Sequence, residues 1–545
     1  MSSSGSTPAS DQPTTAKPAP AQGAFSPFAH TGFALLWTAT LVSNTGTWMH
    51  EVGAGWLMTT LNPSPAVVTL VQAATTLPVF LFALLAGALA DRVDKRAMLI
   101  AINCGLFVVV SILAVLVWFE VMTPTLLIIF TLILGTGAAF MAPAWQAIVP
   151  QLVPRPKLKP AIALNSMGIN LSRAIGPALA GLLIASVGLA APFALNALSF
   201  LVILAALLLW RPERMPRRPV TGTIAGDMLT GLRHVRHNSA MRATAIRGAA
   251  FFLFASAYWA LLPLIARQAE GGGAELYGAL MGLIGAGAVT GALILPRLQS
   301  RMTSDQTVMV GTGGTALALV AMALLPGQAG LLAAAFLGGL SWIAVLTSFN
   351  VSAQTALPDW VRARGLSVFL MVFFGAMALG SLVWGQVAQA TSVPVTLLIA
   401  AVGLLAGIPL TRRFVIGQGE TLDLSQALAW PAAPVLTEAQ SNDSPALVTV
   451  EYVVDRNRTD EFLEAIALFS RERLRDGATS WHLHESVETP GVWIESFHLP
   501  SWAEHLAQHQ RMTHEDEVAQ KIVRAFDSRS TGPIVRHFVA PRPLP

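Results

Sequence analysis

The stretch "GALADRVDKRAML", residues 87–99, decides how this chain is read. It closes an apolar run that starts near residue 66, places five charged side chains within positions 91–96, and opens a second apolar run that continues to about 119. A bilayer core about 30 Å thick takes about 20 apolar residues per helical crossing. The charged hexapeptide is therefore a turn between two crossings. Counting outward from it gives twelve such runs, at 33–60, 66–90, 97–119, 124–147, 161–187, 192–210, 245–266, 277–297, 305–325, 329–351, 365–389 and 393–414.

Composition agrees. The 545 residues are 54% hydrophobic and only 12% charged, about half the charged fraction of an average soluble domain. Residues 445–545 hold 15 acidic and 11 basic side chains, which leaves 38 of the 64 charges to the first 444 positions. The chain thus reads as a membrane part followed by a soluble tail. The net charge of +4 divides into +8 before residue 445 and −4 after it, so the basic character belongs to loops flanking membrane spans and no nucleic-acid partner is expected. One cysteine, Cys104, excludes an internal disulfide and reads as a small buried residue within its span.

Lys and Arg accumulate on the cytoplasmic side of membrane proteins. With the N-terminus inside, the inner loops carry Arg92, Lys95 and Arg96, then Arg155, Lys157 and Lys159, then Arg297 and Arg301, Arg362 and Arg364, and Arg412 and Arg413, whereas the outer loops offer only Arg267. Both termini are expected in the cytoplasm of a bacterial-type inner membrane. A basic segment at 211–247 divides the spans six plus six, and Met228, Leu229, Leu232 and Val235 within it recur at near-helical spacing, as in an amphipathic helix or a solvated linker. The halves also repeat: "QAIVPQLV" at 146–153 returns as "QTALPDWV" at 354–361. Two related six-helix halves meeting at an interface are the geometry of alternating access.

Three motifs carry a resemblance. In "GALADRVDKRAML", Gly87, Asp91, Arg92, Lys95 and Arg96 resemble the loop signature of the major facilitator superfamily, with Asp94 where that family has a second glycine. Gly87 suits close helix approach, and the charges suit a latch that breaks and remakes between two states. "NLSRAIGPALAG", residues 170–181, is similar to the signature of exporting members through Gly176, Pro177 and Gly181. "GTGAA", 135–139, resembles the end of a third motif whose arginine is replaced here by Thr131. The segments around these motifs look like the branch of transmembrane secretion effectors related to enterobactin exporters. That resemblance implies twelve transmembrane helices in a six-plus-six fold and export of small molecules.

The chemistry inside the spans concentrates at Glu51. Thr40, Asn44, Thr47 and Glu51 lie on one helical face, and Ser166, Asn170, Arg173 and Pro177 on another. A charge at the bilayer centre costs about 2.5–3.5 kcal/mol on insertion scales, so such groups turn toward protein or water. Glu51 is expected in or beside a central cavity, with Arg173 drawing an anionic group or pairing with Glu51 in one state. A carboxyl that alternates between a dry site and an arginine loads and releases a proton; a permanent network that only orients helices is the competing reading. His50 points about 100° away and is expected to be an interhelical hydrogen-bonder. The small-residue pairs Gly278/Gly282 and Gly287/Gly291 suit sliding contact. Trp37, Trp48, Trp56, Trp145, Tyr258, Trp259 and Trp342 are expected mostly as interfacial anchors, with stacking on a substrate as the alternative.

After a linker at 415–445, "ALVTVEYVV", "DEFLEAIALFSRERLR", "TSWHLHESV", "GVWIESFHL", "SWAEHLAQHQRMTHEDEVAQKIVRAF" and "PIVRHFVA" give the order β-α-β-β-α-β, a small α+β ferredoxin-like domain. It resembles dimeric α/β-barrel domains of the antibiotic-biosynthesis-monooxygenase type, which implies homodimerisation or ligand sensing. His482 and His484 share a strand face, and His505 and His509 are four apart on a helix. With no carboxylate or cysteine at fixed spacing they are expected to be solvated or hydrogen-bonded, and neither a metal nor a cofactor is expected.

The expected organisation is a disordered cytoplasmic tail at 1–27, a first six-helix bundle at 28–210, a central loop at 211–244, a second bundle at 245–414, the linker, and the soluble domain at 446–540. The expected function is secondary export of a siderophore, drug or metabolite in exchange for protons. The alternative is a membrane-tethered oxygenase or ligand sensor acting through the tail.

Overall fold

A computed structural model describes residues 25–90, 92–211, 224–325, 327–417, 419, 422–427 and 442–541. The first half folds as helices α1 (Thr31–Leu61), α2 (Pro65–Ala90), α3 (Lys95–Trp118), α4 (Pro124–Ile148), α5 (Leu158–Ser186) and α6 (Ala191–Leu209), and a short α7 (Ile224–His237) follows. The second half is α8 (Ser239–Gln268), α9 (Ala274–Gln299), α10 (Ser304–Leu324), α11 (Gln328–Thr355), α12 (Arg362–Ala390) and α13 (Val393–Thr411). Among the described residues, eleven helices are long and apolar enough to cross a membrane. The 31-residue α1 is not one of them, because its Thr, Ser, Asn and Glu side chains dilute its hydropathy.

Helix starts follow local chemistry. Thr123 caps α4 by accepting from Leu126 N, with Pro124 in the first turn where a missing N–H costs nothing. Thr303 and Gln306 form a capping box at α10. Asn238 accepts from Met241 N, so α8 begins at Ser239, six residues before the expected 245. The segment around Leu229 is indeed a helix, but it packs on protein, against α12, α14 (Thr459–Arg475), α2 and α8: Val235 and His234 are buried, whereas Leu229 and Leu232 face outward.

The two halves repeat in space as they do in sequence. In the first, α2 packs on α4, α1 on α5 and α6, and α3 on α4 and α6; in the second, α9 packs on α11, α8 on α12 and α13, and α10 on α11 and α13. The bundles meet where α2 packs on α12 and α5 on α9. Apolar side chains cover the outside, among them Leu182, Leu209, Leu293, Val402 and Leu410, as a lipid-facing surface requires. Cys104 belongs to that surface: it is exposed on α3 rather than buried as expected, because its position on the helix turns it away from the packing face marked by Asn103 and Leu106.

The tail forms strands β1 (Ala446–Val453), β2 (Ser480–Glu485), β3 (Val492–Leu499) and β4 (Ile534–Val539) in one antiparallel sheet of order β2-β3-β1-β4. Central β1 alternates buried and part-buried side chains along its length, with Val448, Val450 and Tyr452 packed on Phe462, Ile466 and Phe469 of α14. Glu495 on β3 is fully buried yet accepts from Arg473 Nε at 3.1 Å, Trp481 Nε1 at 3.0 Å and the Tyr452 hydroxyl at 3.1 Å, the partners a buried charge requires. The single helix expected over 501–526 is instead two, α15 (Trp502–Arg511) and α16 (His514–Arg524). Met512 is extended, and Thr513 exchanges capping bonds with Asp516, which starts a new helix. The tail docks on the membrane part through α14, which packs on α7, and through α15: Arg233 of α7 meets Glu504 at 3.4 Å, and Arg511 lies over the Trp360 ring at 4.6 Å.

Glu472 on α14 has a carboxylate oxygen buried without a hydrogen-bond partner. Burial, with the Asp516 charge nearby, pushes it up to about 9. A raised carboxyl stabilises the fold fully below its unfolded value and loses that contribution as pH rises toward the folded value. Glu472→Gln is therefore expected to raise the unfolding temperature of the tail at pH 8 and leave it unchanged near pH 4, as read by tryptophan fluorescence of the full-length protein.

Candidate functional site

The site is built where the bundles face each other. Helices α1, α2, α4, α5 and α6 from one half, and α8, α9, α11 and α12 from the other, surround a cavity of about 470 Å³, within the usual range for drug-sized ligands. Glu51 and Arg173 both line it. They belong to α1 and α5, which pack on each other, and Arg173 is the charged neighbour that acts on Glu51. Their side chains do not form an ion pair within 4.0 Å. The Arg173 guanidinium instead stands 5.3 Å from the Trp48 ring centroid, and its Nε is buried without a hydrogen-bond partner.

Of the two expected polar stripes, only the halves nearest the seam reach the cavity. Thr47 and Glu51 line it, whereas Asn44 and Asn170 do not; Asn170 donates back to Ser166 O of its own helix at 2.9 Å. His50 lines the cavity but makes no interhelical hydrogen bond. Its ring stands edge-on to Phe193 at 4.9 Å and its Nδ1 is buried without a partner, because the helix facing it there, α6, presents an aromatic side chain. Thr131, in the place of the family arginine, also lines the cavity and donates to Leu127 O at 2.8 Å.

Several cavity residues carried little signal in the sequence. Gln72, Thr75 and Thr76 from α2, Asn196 from α6 and Asn350 from α11 supply polar groups. Trp48, Trp259, Trp342, Tyr277, Phe373 and Phe374 supply aromatic walls. Trp48, Trp259 and Trp342 are thus cavity residues rather than interfacial anchors, for which their mid-span positions were a usable sign. Trp37 is tied inside its bundle by donating to Leu164 O at 2.9 Å.

The exporter-type motif lies on the seam. A methyl group on Gly181 would stand 2.7 Å from Ala274 O, and one on Gly278 would stand 2.7 Å from Pro177 O, so α5 and α9 touch backbone to backbone. A methyl group on Gly176 would meet Trp48 Cβ at 2.6 Å, which fixes α5 against α1 three residues beyond Arg173. A methyl group on Gly291 would face α11 instead, 2.9 Å from Leu340 O. Near the N-terminal end of α9, Arg267 donates to Thr59 O and Ser64 donates to the Gln389 side chain at 2.6 Å, two further ties between the halves.

The loop motif sits at the opposite end of α2. A methyl group on Gly87 would lie 3.1 Å from Ser367 Oγ on α12. Asp94 caps α3 by accepting from Ala97 N at 2.8 Å, and Lys95 begins that helix. Arg96 donates to Leu207 O at 2.8 Å and Leu208 O at 3.0 Å, closing the end of α6. Arg92 follows in the turn, and Asp91 lies outside the described residues.

The family description for transmembrane secretion effectors matches residues 22–543, which takes in both bundles and the tail. The chain belongs to that family. It is similar to the staphyloferrin A transporter of Staphylococcus aureus, 25% identical over 340 residues that cover 62% of this chain and 84% of that protein. It is also similar to the enterobactin exporter EntS of Shigella boydii serotype 18, 30% identical over 348 residues, covering 62% and 82%. In fold it resembles a POT family transporter crystallised with a thioalcohol-conjugated peptide, with a TM-score of 0.59 at 13% identity over 70% of this chain and 96% of that one. The nucleoside transporter NupG matches with a TM-score of 0.53 at 14% identity over 70% and 98%. This transmembrane secretion effector is thus a multi-pass membrane transporter, and the family and its named relatives are transporters, not enzymes.

Adding side-chain volume at a backbone contact of 2.7 Å forces helices apart, at about 1–3 kcal/mol in a packed core. Gly181→Val is expected to cut transport about tenfold or more in proteoliposomes while the protein still inserts and purifies as a single species.

Proposed function

We propose that this protein exports small amphipathic molecules, such as siderophores, drugs or secondary metabolites, in exchange for protons by alternating access. The reading rests on one observation: Glu51 and Arg173, opposite charges inside membrane-spanning helices, line the same seam cavity without being paired. A buried acid and base that do not contact each other are two halves of a switch. When α1 and α5 shift and the guanidinium approaches, Glu51 releases its proton; when the guanidinium is engaged by an anionic substrate or by the Trp48 face, the carboxyl takes a proton back. The aromatic walls and scattered amide and hydroxyl groups suit a substrate with rings and hydrogen-bonding oxygens. The siderophore relatives favour the same class.

In this reading α1 is the twelfth span, with its polar face turned to the cavity. The end of the bundles that bears Arg92, Arg96, Arg297, Arg301, Arg362 and Arg364 faces the cytoplasm, by the accumulation of positive charge there. Both termini then lie inside, and the tail acts at the cytoplasmic face as a ferredoxin-like regulatory or dimerising module. With that orientation, the contact of α5 with α9 at Gly181 and Gly278 falls in the outer half of the seam.

In proteoliposomes with an imposed pH gradient, Glu51→Gln is expected to lose gradient-driven flux about tenfold or more while still binding substrate. Arg173→Ala is expected to weaken binding of anionic substrates and to flatten the pH profile. A chain ending near residue 440 is expected to retain flux. Gradient-driven flux that is unchanged in Glu51→Gln would sink proton coupling through this residue.

A further inference from the structure

The soluble tail brings together three histidines that spacing alone does not connect. His505 and His509 stand one turn apart on α15, and His537 reaches them from β4 at the edge of the sheet. Their ligand atoms all lie within 4.8 Å of one another. The Nε2 atoms of His505 and His509 are hydrogen-bonded to each other at 3.2 Å, as the sequence allowed, and the ring centroid of His537 is 4.9 Å from that of His505. Three imidazole nitrogens at about 2.0–2.1 Å from one tetrahedral cation stand about 3.3 Å from each other. The helical pair already has that separation, and His537 closes the remaining gap by a movement of about 1.5 Å or less.

We propose that His505, His509 and His537 form a site for a divalent transition-metal ion, with a fourth position open to water or an outside ligand. Imidazole-only ligation suits zinc, copper, iron and nickel rather than magnesium or calcium. The surroundings fit ligands rather than solvated side chains. His505 is 1% exposed, Trp502 packs against it at 4.9 Å between ring centroids, and Trp502 also stands edge-on to His537. Nδ1 of His505 and Oε1 of Gln508 are both buried without a hydrogen-bond partner. A cation on Nε2 leaves the proton on Nδ1, where the Gln508 amide oxygen is the available acceptor, the outer-shell contact that usually orients a metal-bound imidazole.

Charge around the cluster is balanced. Arg473 also faces it, but that guanidinium is matched by the buried Glu495 at 3.1 Å.

The test uses the full-length protein in detergent, stripped with a chelator and titrated with zinc alone by calorimetry and with cobalt by visible absorption. One equivalent per chain is expected, with the absorption of a four-coordinate cobalt ion. His509→Ala and His537→Ala, at part-buried positions that tolerate truncation, are each expected to weaken zinc binding about tenfold or more. They should retain the size-exclusion profile and near-ultraviolet dichroism of the parent. The exposed pair on β2, changed together as His482→Ala and His484→Ala, is expected to leave affinity unchanged. Less than one equivalent bound by the parent, affinity retained in both single variants, or loss of affinity only in the β2 double variant would overturn the site.

Discussion

Everything in the membrane part depends on how closely α5 can approach its neighbours. Two helices whose backbones touch at Gly181 and Gly278 have no side chains to unlock before they slide, and a seam of that kind can open and close at low cost. The same helix carries Arg173 into the cavity and is held to α1 at Gly176, directly against Trp48, the ring over which the guanidinium rests. Movement of α5 against α9 therefore cannot leave the environment of Arg173 unchanged. On the proposed function, the glycines would supply freedom of movement and the arginine would convert that movement into a change of charge contacts around Glu51.

The loop motif contributes at the other end of the bundle. Asp94, which departs from the family pattern, is a helix cap in this chain, and the turn it makes serves the purpose a glycine would serve: it ends one helix and begins the next. Arg96 binds the last carbonyls of α6 and so ties α3 to α6 within its own bundle, while Gly87 brings α2 against α12 of the other half. On the proposed function, halves joined along two seams, α2 with α12 and α5 with α9, would rock about the central cavity.

The tail is attached where the two halves communicate. Helix α7 lies between the bundles in sequence and packs on α2, α8 and α12, and its Arg233 meets α15 of the tail. The opposite face of that ten-residue helix carries His505 and His509. A change in how α15 packs on the sheet would thus be felt at Trp360 and Arg233, next to the connection between α11 and α12.

The sequence alone settled whatever depends on period and composition. Long apolar runs dictate helices because no unpaired backbone survives in hydrocarbon. The recurrence of 146–153 at 354–361 announced the paired halves that the helix contacts display. Alternating side chains marked β1, and the placement of Glu51 and Arg173 on polar stripes was enough to send both toward the seam. What only the tertiary structure decided were meetings between distant segments. Which half of each stripe reaches the cavity depends on where α1 and α5 cross. The aromatic walls depend on which face of α8 and α11 turns inward. Met512 breaks a continuous helical pattern because Thr513 and Asp516 offer better capping than propagation. His537 joins two histidines on a helix only because β4 pairs with β1 beside it. Local chemistry fixes each element, whereas a contact between residues far apart in sequence exists only once packing has chosen a partner for each face.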